Sequence, residues 1–538
     1  MSLTVPLRGK LATGVALASS LLLLSGVAGA AAPGAPGIGD PYFPKAGNGG
    51  YDVSHYDIRL KYEPGTDRLS GTTTVLARTT EELSAFNLDF LLDVTSVRVN
   101  NRVAAHSGTP DGELTVTPGV VLPAGTELTI VVAYSDVPSR HAVDGFTGWK
   151  RTPDGALAID QPDIAPWWFP SDNHPRDKAT FDVSVAVPDG VEVLSNGLYQ
   201  GTVKQIDGWT RWRWRELEPQ ATYLAFVAIG QFEVRHSLAP SGQASVTAYS
   251  ERLGADGPAA RASVERTPEV VEFLEGSFGP YPFTGVGGVV APGIGFALEN
   301  QTRPTYDGGF FRRGANTYVV AHEIAHQWFG DSVSVRGWRD IWLNEGFASY
   351  AEFLWSEHTG EGTAAENADY LYGLYPADDP FWTVLPGEPG AGAIFDGAVY
   401  DRGAMAVHAV RTAVGDEAFF AVLKRWTAQE RFGDATIEDF QALAESVSGV
   451  DLDEVLRVWL FTPAKPATGP GHWGYAADSA NVAGTAGPVE AAGSVEAAGS
   501  AGGGRFGGGG AGGRRAEVAP EDRGDARAAL ARGVTARG

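Results

Sequence analysis

The sequence predicts a multidomain α+β protein, in which an antiparallel β domain is followed by a mainly helical half. Two patterns carry this. Between about residues 51 and 232, short runs of strand-favouring residues alternate with turn residues. From about residue 241 the apolar spacing becomes helical, and helices dominate residues 316–460. A third observation places chemistry in the helical half: His322-Glu323-Ile324-Ala325-His326, followed after eighteen residues by Glu345.

The elements follow in order. Arg8 and Lys10, a mostly apolar run over 11–24 and small residues at 27–32 read as a signal peptide over 1–32, cleaved near Ala30 or Ala32. A membrane anchor is the alternative, since 11–32 is just long enough to span. Its Gly, Ser and Ala content toward the end favours cleavage, giving a secreted or extracytoplasmic chain with no stable membrane insertion. The β domain is assigned to 33–240. It opens on a Pro/Gly-rich spacer and has strands expected over 53–62, 72–78, 94–99, 114–116, 128–134, 181–187 and 209–232. Within it, Arg211-Trp212-Arg213-Trp214-Arg215 has a period of two. That places tryptophans inward and arginines outward on one strand, not a nucleic-acid-binding run. The catalytic region is assigned to 241–466, with helical periodicity over 259–278. The remainder, 467–538, is Gly/Ala-rich, repeats Val-Glu-Ala-Ala-Gly-Ser at 489 and 495, and lacks large apolar residues, so it reads as a disordered tail.

Composition narrows the chemistry. A hydrophobic content of 43% is enough for sizeable cores, and a net charge of −24 argues against nucleic acid as a partner. With no cysteine, disulfides and thiolate metal sites are excluded, and any metal is left to His and carboxylate ligands. Of 41 basic residues, 33 are arginine, which together with abundant Ala and Gly suggests a GC-rich bacterial gene.

On a helix, residues four apart lie about 40° apart around the axis, so His322 and His326 face one point. Glu345, from a second segment, is the natural third ligand, leaving the open fourth position that catalytic zinc requires. Glu323 is placed to act as general base. The lead-in 316–321 is apolar and free of breakers, and Trp328 and Phe329 extend the apolar pattern to Gly330. Asn344 is a plausible cap for the second helix. Glu352, seven residues after Glu345, falls on nearly the same helix face and reads as a group beside the site, not a ligand. His408 reads as structural.

Three further motifs join these: Gly295-Phe296-Ala297-Leu298-Glu299-Asn300, Trp342-Leu343-Asn344-Glu345-Gly346-Phe347-Ala348 and Val399-Tyr400-Asp401-Arg402-Gly403. In this order the chain resembles the aminopeptidase N-like family of zinc metallopeptidases over roughly residues 51–466. The resemblance implies a saddle-like β domain followed by a thermolysin-like catalytic domain holding one zinc ion through His322, His326 and Glu345. It implies Glu323 as general base and Tyr400 as the group that stabilises the transition state. It also implies Glu299 as anchor for the α-amino group of peptide substrates with a free N-terminus. Phe296 to Asn300 would form part of an edge strand along the substrate backbone, Ala297 and Asn300 with Gly295 being substrate-binding, and Gln161 or Asp163 from the β domain would lie near the amine. The family's motif opens with Gly where this chain has Phe296, and has Met where this chain has Leu298. The ordered pattern stops near Pro466, so the large helical C-terminal domain of many relatives is not expected, and the cleft should admit long peptides. An endopeptidase and a catalytically silent peptide-binding module are the alternative readings.

Overall fold

The structure, a computed structural model, describes residues 31–143 and 145–472. Nearly all of the signal segment and most of the assigned tail lie outside the described residues. Within them an N-terminal β-sheet domain is followed by a helical domain.

An eleven-stranded sheet dominates the first part. From its centre toward one edge it runs Glu127–Asp136, Arg68–Thr79, Tyr51–Glu63, Ala179–Pro188 and Trp209–Gln220. Pairing is antiparallel except at two junctions, where Ala179–Pro188 joins Tyr51–Glu63 and Ala32–Pro33 joins Leu83–Asp89 in parallel. Alternation sorts the faces as expected: in Tyr51–Glu63, Tyr56, Ile58, Leu60 and Tyr62 are buried between half-buried or exposed neighbours. In the Arg/Trp run, Trp214 is buried while Arg213 and Arg215 are exposed, and Arg215 pairs with Asp182 across the strand boundary. A four-stranded antiparallel sheet accompanies the large one, in the order Glu192–Ser195, Val227–Gly230, Ala156–Ala158 and Trp149–Arg151.

Two expectations are corrected here. The segment 209–232 is not one continuation of the β domain. It breaks at the 3₁₀ turn Thr222–Leu224, and its last residue starts Phe232–Leu238, which pairs forward with Ala244–Ser250 in a five-stranded sheet. The helical pattern of 259–278 is two helices, Gly257–Val264 and Thr267–Phe278. Pro268 has no N–H to continue the first ladder and suits the opening turn of the second.

The five-stranded sheet runs Phe232–Leu238, Ala244–Ser250, Gly285–Ala291, Thr305–Asp307, Ala297–Leu298. Ala297–Leu298 therefore lies at the edge, antiparallel to its single neighbour. Helices Tyr318–Ala325, Trp342–Thr359 and Gly397–Val414 build the helical core with Asp416–Gln429, Ile437–Ser448 and Asp453–Phe461. No helix among the described residues is long and apolar enough to cross a membrane.

Trp342–Thr359 and Gly397–Val414 cross at two glycines. A Cβ on Gly403 would meet the Gly346 Cα at 3.2 Å and Trp342 Cδ1 at 3.0 Å, so a side chain there would press the two helices apart. Trp342 Nε1 donates to Gly403 O at 3.0 Å across the same crossing. The buried Arg402 fixes the third helix by donating to carbonyls of Trp382, Val384, Val458, Trp459 and Thr462.

Two smaller features tie the halves together. Lys178, half-buried just before the strand Ala179–Pro188, donates to the carbonyls of Asp331, Ser332 and Gly433 at 2.8–3.0 Å. A compact apolar cluster joins Ala221, Tyr223 and Leu224 of the β domain to Trp338, Ile341, Ile394 and Val399 of the helical domain.

His408 is structural, as its sequence context suggested. Its Nδ1 lies 3.0 Å from the Tyr350 hydroxyl, which in turn accepts from Arg411. Burial, then the Arg411 charge, pushes the imidazole down to about 4. The folded value lies below the unfolded one of about 6.5, so the neutral ring's contribution is complete above pH 6.5. It is lost as pH falls from 6.5 toward 4, by roughly 3 kcal/mol at most. His408→Gln should therefore lose less Tm than the parent between pH 7 and pH 4.5. Parallel Tm profiles for the two proteins would contradict this.

Candidate metal and peptide site

The first metal-site helix, Tyr318–Ala325, buries Val319, Val320, Ala321, Ile324 and Ala325 and presents His322 toward the second helix. It is shorter than the apolar pattern suggested. The ladder stops at Ala325, and the N–H groups of Asp331, Ser332 and Val333 reach back to the carbonyls of His326, Gln327 and Trp328 in a wider turn. Gly330, at φ +128°, makes that turn possible. A side chain there would press on Asn344 and the His326 ring. The wider turn brings Phe329 O to 3.0 Å from His326 Nδ1.

Asn344 is not a cap. The 3₁₀ turn Trp338–Asp340 feeds straight into Trp342–Thr359, with Ile341 at the cap position, so Asn344 already lies in the first turn. Its backbone N–H and that of Glu345 both donate to Ile341 O.

His322, His326 and Glu345 converge. Glu345 Oε2 lies 3.4 Å from His322 Nε2 and 3.5 Å from His326 Nε2. Ligands about 2 Å from a tetrahedral centre stand about 3.3 Å apart, so this spacing fits one zinc ion. Glu345 Oε2 is buried and has no hydrogen-bond partner, as an atom meant for a cation would be. Each histidine has its other nitrogen engaged: His322 Nδ1 lies 2.9 Å from Glu352 Oε1, and His326 Nδ1 meets Phe329 O. These contacts fix the tautomer that leaves both Nε2 atoms as ligands. Glu352 thus orients a ligand, consistent with its place on the helix face.

The surrounding charge favours a dication. Glu299, Glu323, Glu345, Glu352 and Asp331 are all buried around the two histidines. Burial pushes Glu323 up to about 8, against the pull of both histidines. Glu345 goes the other way: burial would raise it, but His326 and His322 outweigh that and hold it at about 2.

The motif residues over 295–300 line up behind this centre. Ala297 and Leu298 pair with Tyr306 and Thr305. Gly295 N donates to Asp307, and Phe296 O accepts from Asp307 N. Glu299 is buried, with a carboxylate oxygen within 4.8 Å of ligand atoms of Glu323 and His326. Burial raises it. Asn300 is fully buried and does not lie along the strand's open side. Its amide donates to Leu224 O and accepts from Thr305 Oγ1, so it holds the strand to the β domain.

The two β-domain candidates separate. Gln161 Nε2 donates to Glu299 Oε1 at 2.9 Å. Asp163 instead accepts from Asn173 Nδ2, and Asn173 Oδ1 accepts from Thr222. Tyr400 lies in the first turn of Gly397–Val414, which Asp396 caps, with its ring 6.0 Å from that of His322.

Sequence reasoning missed Gln327 and Tyr223. Gln327 Nε2 donates to Glu299 O, and its Oε1 accepts from Thr302 N, which joins the metal segment to the edge strand. Its signal was adjacency to His326. The Tyr223 hydroxyl donates to Glu299 Oε1 at 3.3 Å, and nothing in its own neighbourhood marked it.

The comparisons agree with this arrangement. The family model described as "Peptidase family M1 domain" matches residues 310–459. A glutamyl aminopeptidase of Bitis rhinoceros is 27% identical over 311 residues, 54% of this chain and 32% of its own length. An aminopeptidase N of Lactobacillus delbrueckii subsp. lactis is 26% identical over 455 residues, covering 77% of this chain and 51% of its own. The chain thus spans about a third to a half of these relatives. The crystal structure of an M1 zinc metallopeptidase from Deinococcus radiodurans superposes with a TM-score of 0.71 at 30% identity, covering 80% of this chain and 98% of that one.

The hydrogen bond to His322 gives a metal-affinity prediction. Glu352→Ala should weaken zinc binding about 10–100-fold in chelator competition. Glu323→Gln should leave it nearly unchanged, because Glu323 is not among the three converging donors. Equal losses in both variants would contradict the ligand assignment.

Proposed function

The chain belongs to the M1 family of zinc metallopeptidases, and on that premise we propose that it is an exported aminopeptidase that removes the N-terminal residue of peptides. The observation that carries this reading is the placement of the buried Glu299 beside the centre formed by His322, His326 and Glu345. A carboxylate there can pair with an α-ammonium group. Such a pair fixes the register so that only the first peptide bond reaches the reacting position. A mutant of the Deinococcus radiodurans M1 enzyme has been crystallised with a Tyr-Ser-Ala substrate, which supports short peptides as the substrate class. Export rests on the sequence of residues 1–32 alone.

Zinc, when bound, lowers the pKa of water and polarises a carbonyl. The chain's own groups supply the rest. Glu323 takes the proton of the attacking water and delivers it to the leaving amine. It lies buried beside the metal ligands, where one carboxylate can make both transfers. Tyr400 donates its hydroxyl to the carbonyl oxygen as negative charge builds there, a contribution of about 3 kcal/mol for one such donor. The edge strand Ala297–Leu298 offers its open side to an extended peptide.

A panel of single-residue amides, free and N-acetylated, run with and without chelator, tests the reading. The parent should cleave only free-amine substrates, and chelation should abolish the activity. Glu299→Ala should raise KM for free-amine substrates and lower kcat/KM about 10–100-fold. Glu323→Gln should lower kcat about 10²–10⁴-fold. Efficient cleavage of acetylated substrates would indicate an endopeptidase instead.

A further inference from the structure

Glu299 faces a specific problem. It is buried, burial disfavours its charged form, and it must still present a defined oxygen to a substrate cation. Both side-chain hydrogen bonds that reach it fall on the same atom. Gln161 Nε2 and the Tyr223 hydroxyl converge on Oε1, at 2.9 and 3.3 Å. Neither uses Oε2. Two neutral donors on one oxygen stabilise the carboxylate, fix its rotation and leave the other oxygen's direction defined.

The placement of Tyr223 is itself determined. Its ring packs edge-on against Trp338, with centroids 5.3 Å apart. Trp338 is held by its N–H donating to Asp40. The preceding residue, Thr222, donates to Asn173, which also donates to Asp163. Asp163 therefore sits at the base of a chain that positions the Tyr223 segment. On the other side, Leu224 O accepts from Asn300, next to Glu299. Glu299 and Tyr223 are thus joined directly and again through their chain neighbours, Asn300 and Leu224. The phenol is buried against the Glu299 carboxylate, and burial foremost disfavours its ionised form. It therefore remains a donor.

We propose that Tyr223 is a positioning residue for the amine anchor: with Gln161 it holds Glu299 Oε1, so that Oε2 is the oxygen presented to the substrate's α-ammonium group. The proposal rests on the aminopeptidase reading and adds to it the residue that sets the anchor's geometry.

The test uses the zinc-loaded full chain. Tyr223→Phe removes one oxygen and keeps the ring against Trp338. KM for a free-amine amino-acid amide should rise about tenfold, with kcat within about twofold. The Ki of a hydroxamate carrying no α-amino group should stay within twofold, as should zinc content. Gln161→Leu, which removes the other donor from the same oxygen, should act in the same direction. It provides a second reading if one variant folds poorly. An unchanged KM in both variants overturns the proposal, as does an equal loss of hydroxamate affinity, which would mean general loosening of the site. Glu299→Ala in the same series separates the two levels. If that variant raises KM while Tyr223→Phe and Gln161→Leu do not, only the positioning role fails. If it leaves KM unchanged, the anchor reading itself fails.

Discussion

The site depends on holding five buried acidic groups around two imidazoles. Such a cluster is costly unless a dication and a dense set of hydrogen bonds compensate its charge. The donor set and its 3.4–3.5 Å spacing meet the first condition. Glu352 and Phe329 O on the imidazoles, with Gln161 and Tyr223 on Glu299, contribute to the second. The surrounding architecture keeps these partners in register. The Gly346/Gly403 crossing sets the approach of the Glu345 helix to the Tyr400 helix, and the Gly330 turn returns a carbonyl to His326.

What could be read in the sequence follows from the range of the interactions involved. His322, Glu323 and His326 were legible because helix periodicity alone brings them together, and Glu345 because its spacing and flanking residues are distinctive. Glu352 was half legible: its helix face followed from counting residues, but its partner did not. Strands with one wet face were found close to their observed limits. Leu83–Asp89 escaped because both its faces are largely buried, which removes the alternation. Arg102–Gly108 escaped because it is mostly exposed.

The rest was illegible for one physical reason. Gln161 and Glu299 stand 138 residues apart, and Tyr223 and Glu299 stand 76 apart. Whether Gln161 or Asp163 faces the centre depends on how the β domain docks, and local propensity carries no record of that. Lys178 is a further case. A lysine ordinarily stands in solvent, yet this one is half-buried with its ammonium on three carbonyls, and the desolvation lowers it to about 7.

The apolar seam made by Ala221, Tyr223 and Leu224 against Trp338, Ile341, Ile394 and Val399 has an evolutionary consequence. The helical half is not a cassette that can be transplanted alone. Lifted from its N-terminal partner, it would carry a raw greasy flank beside the Tyr400 helix and a turn after His326 stripped of its lysine brace. Exchange of modules between relatives must therefore preserve this joint, so drift on one side of it is constrained by the residues on the other.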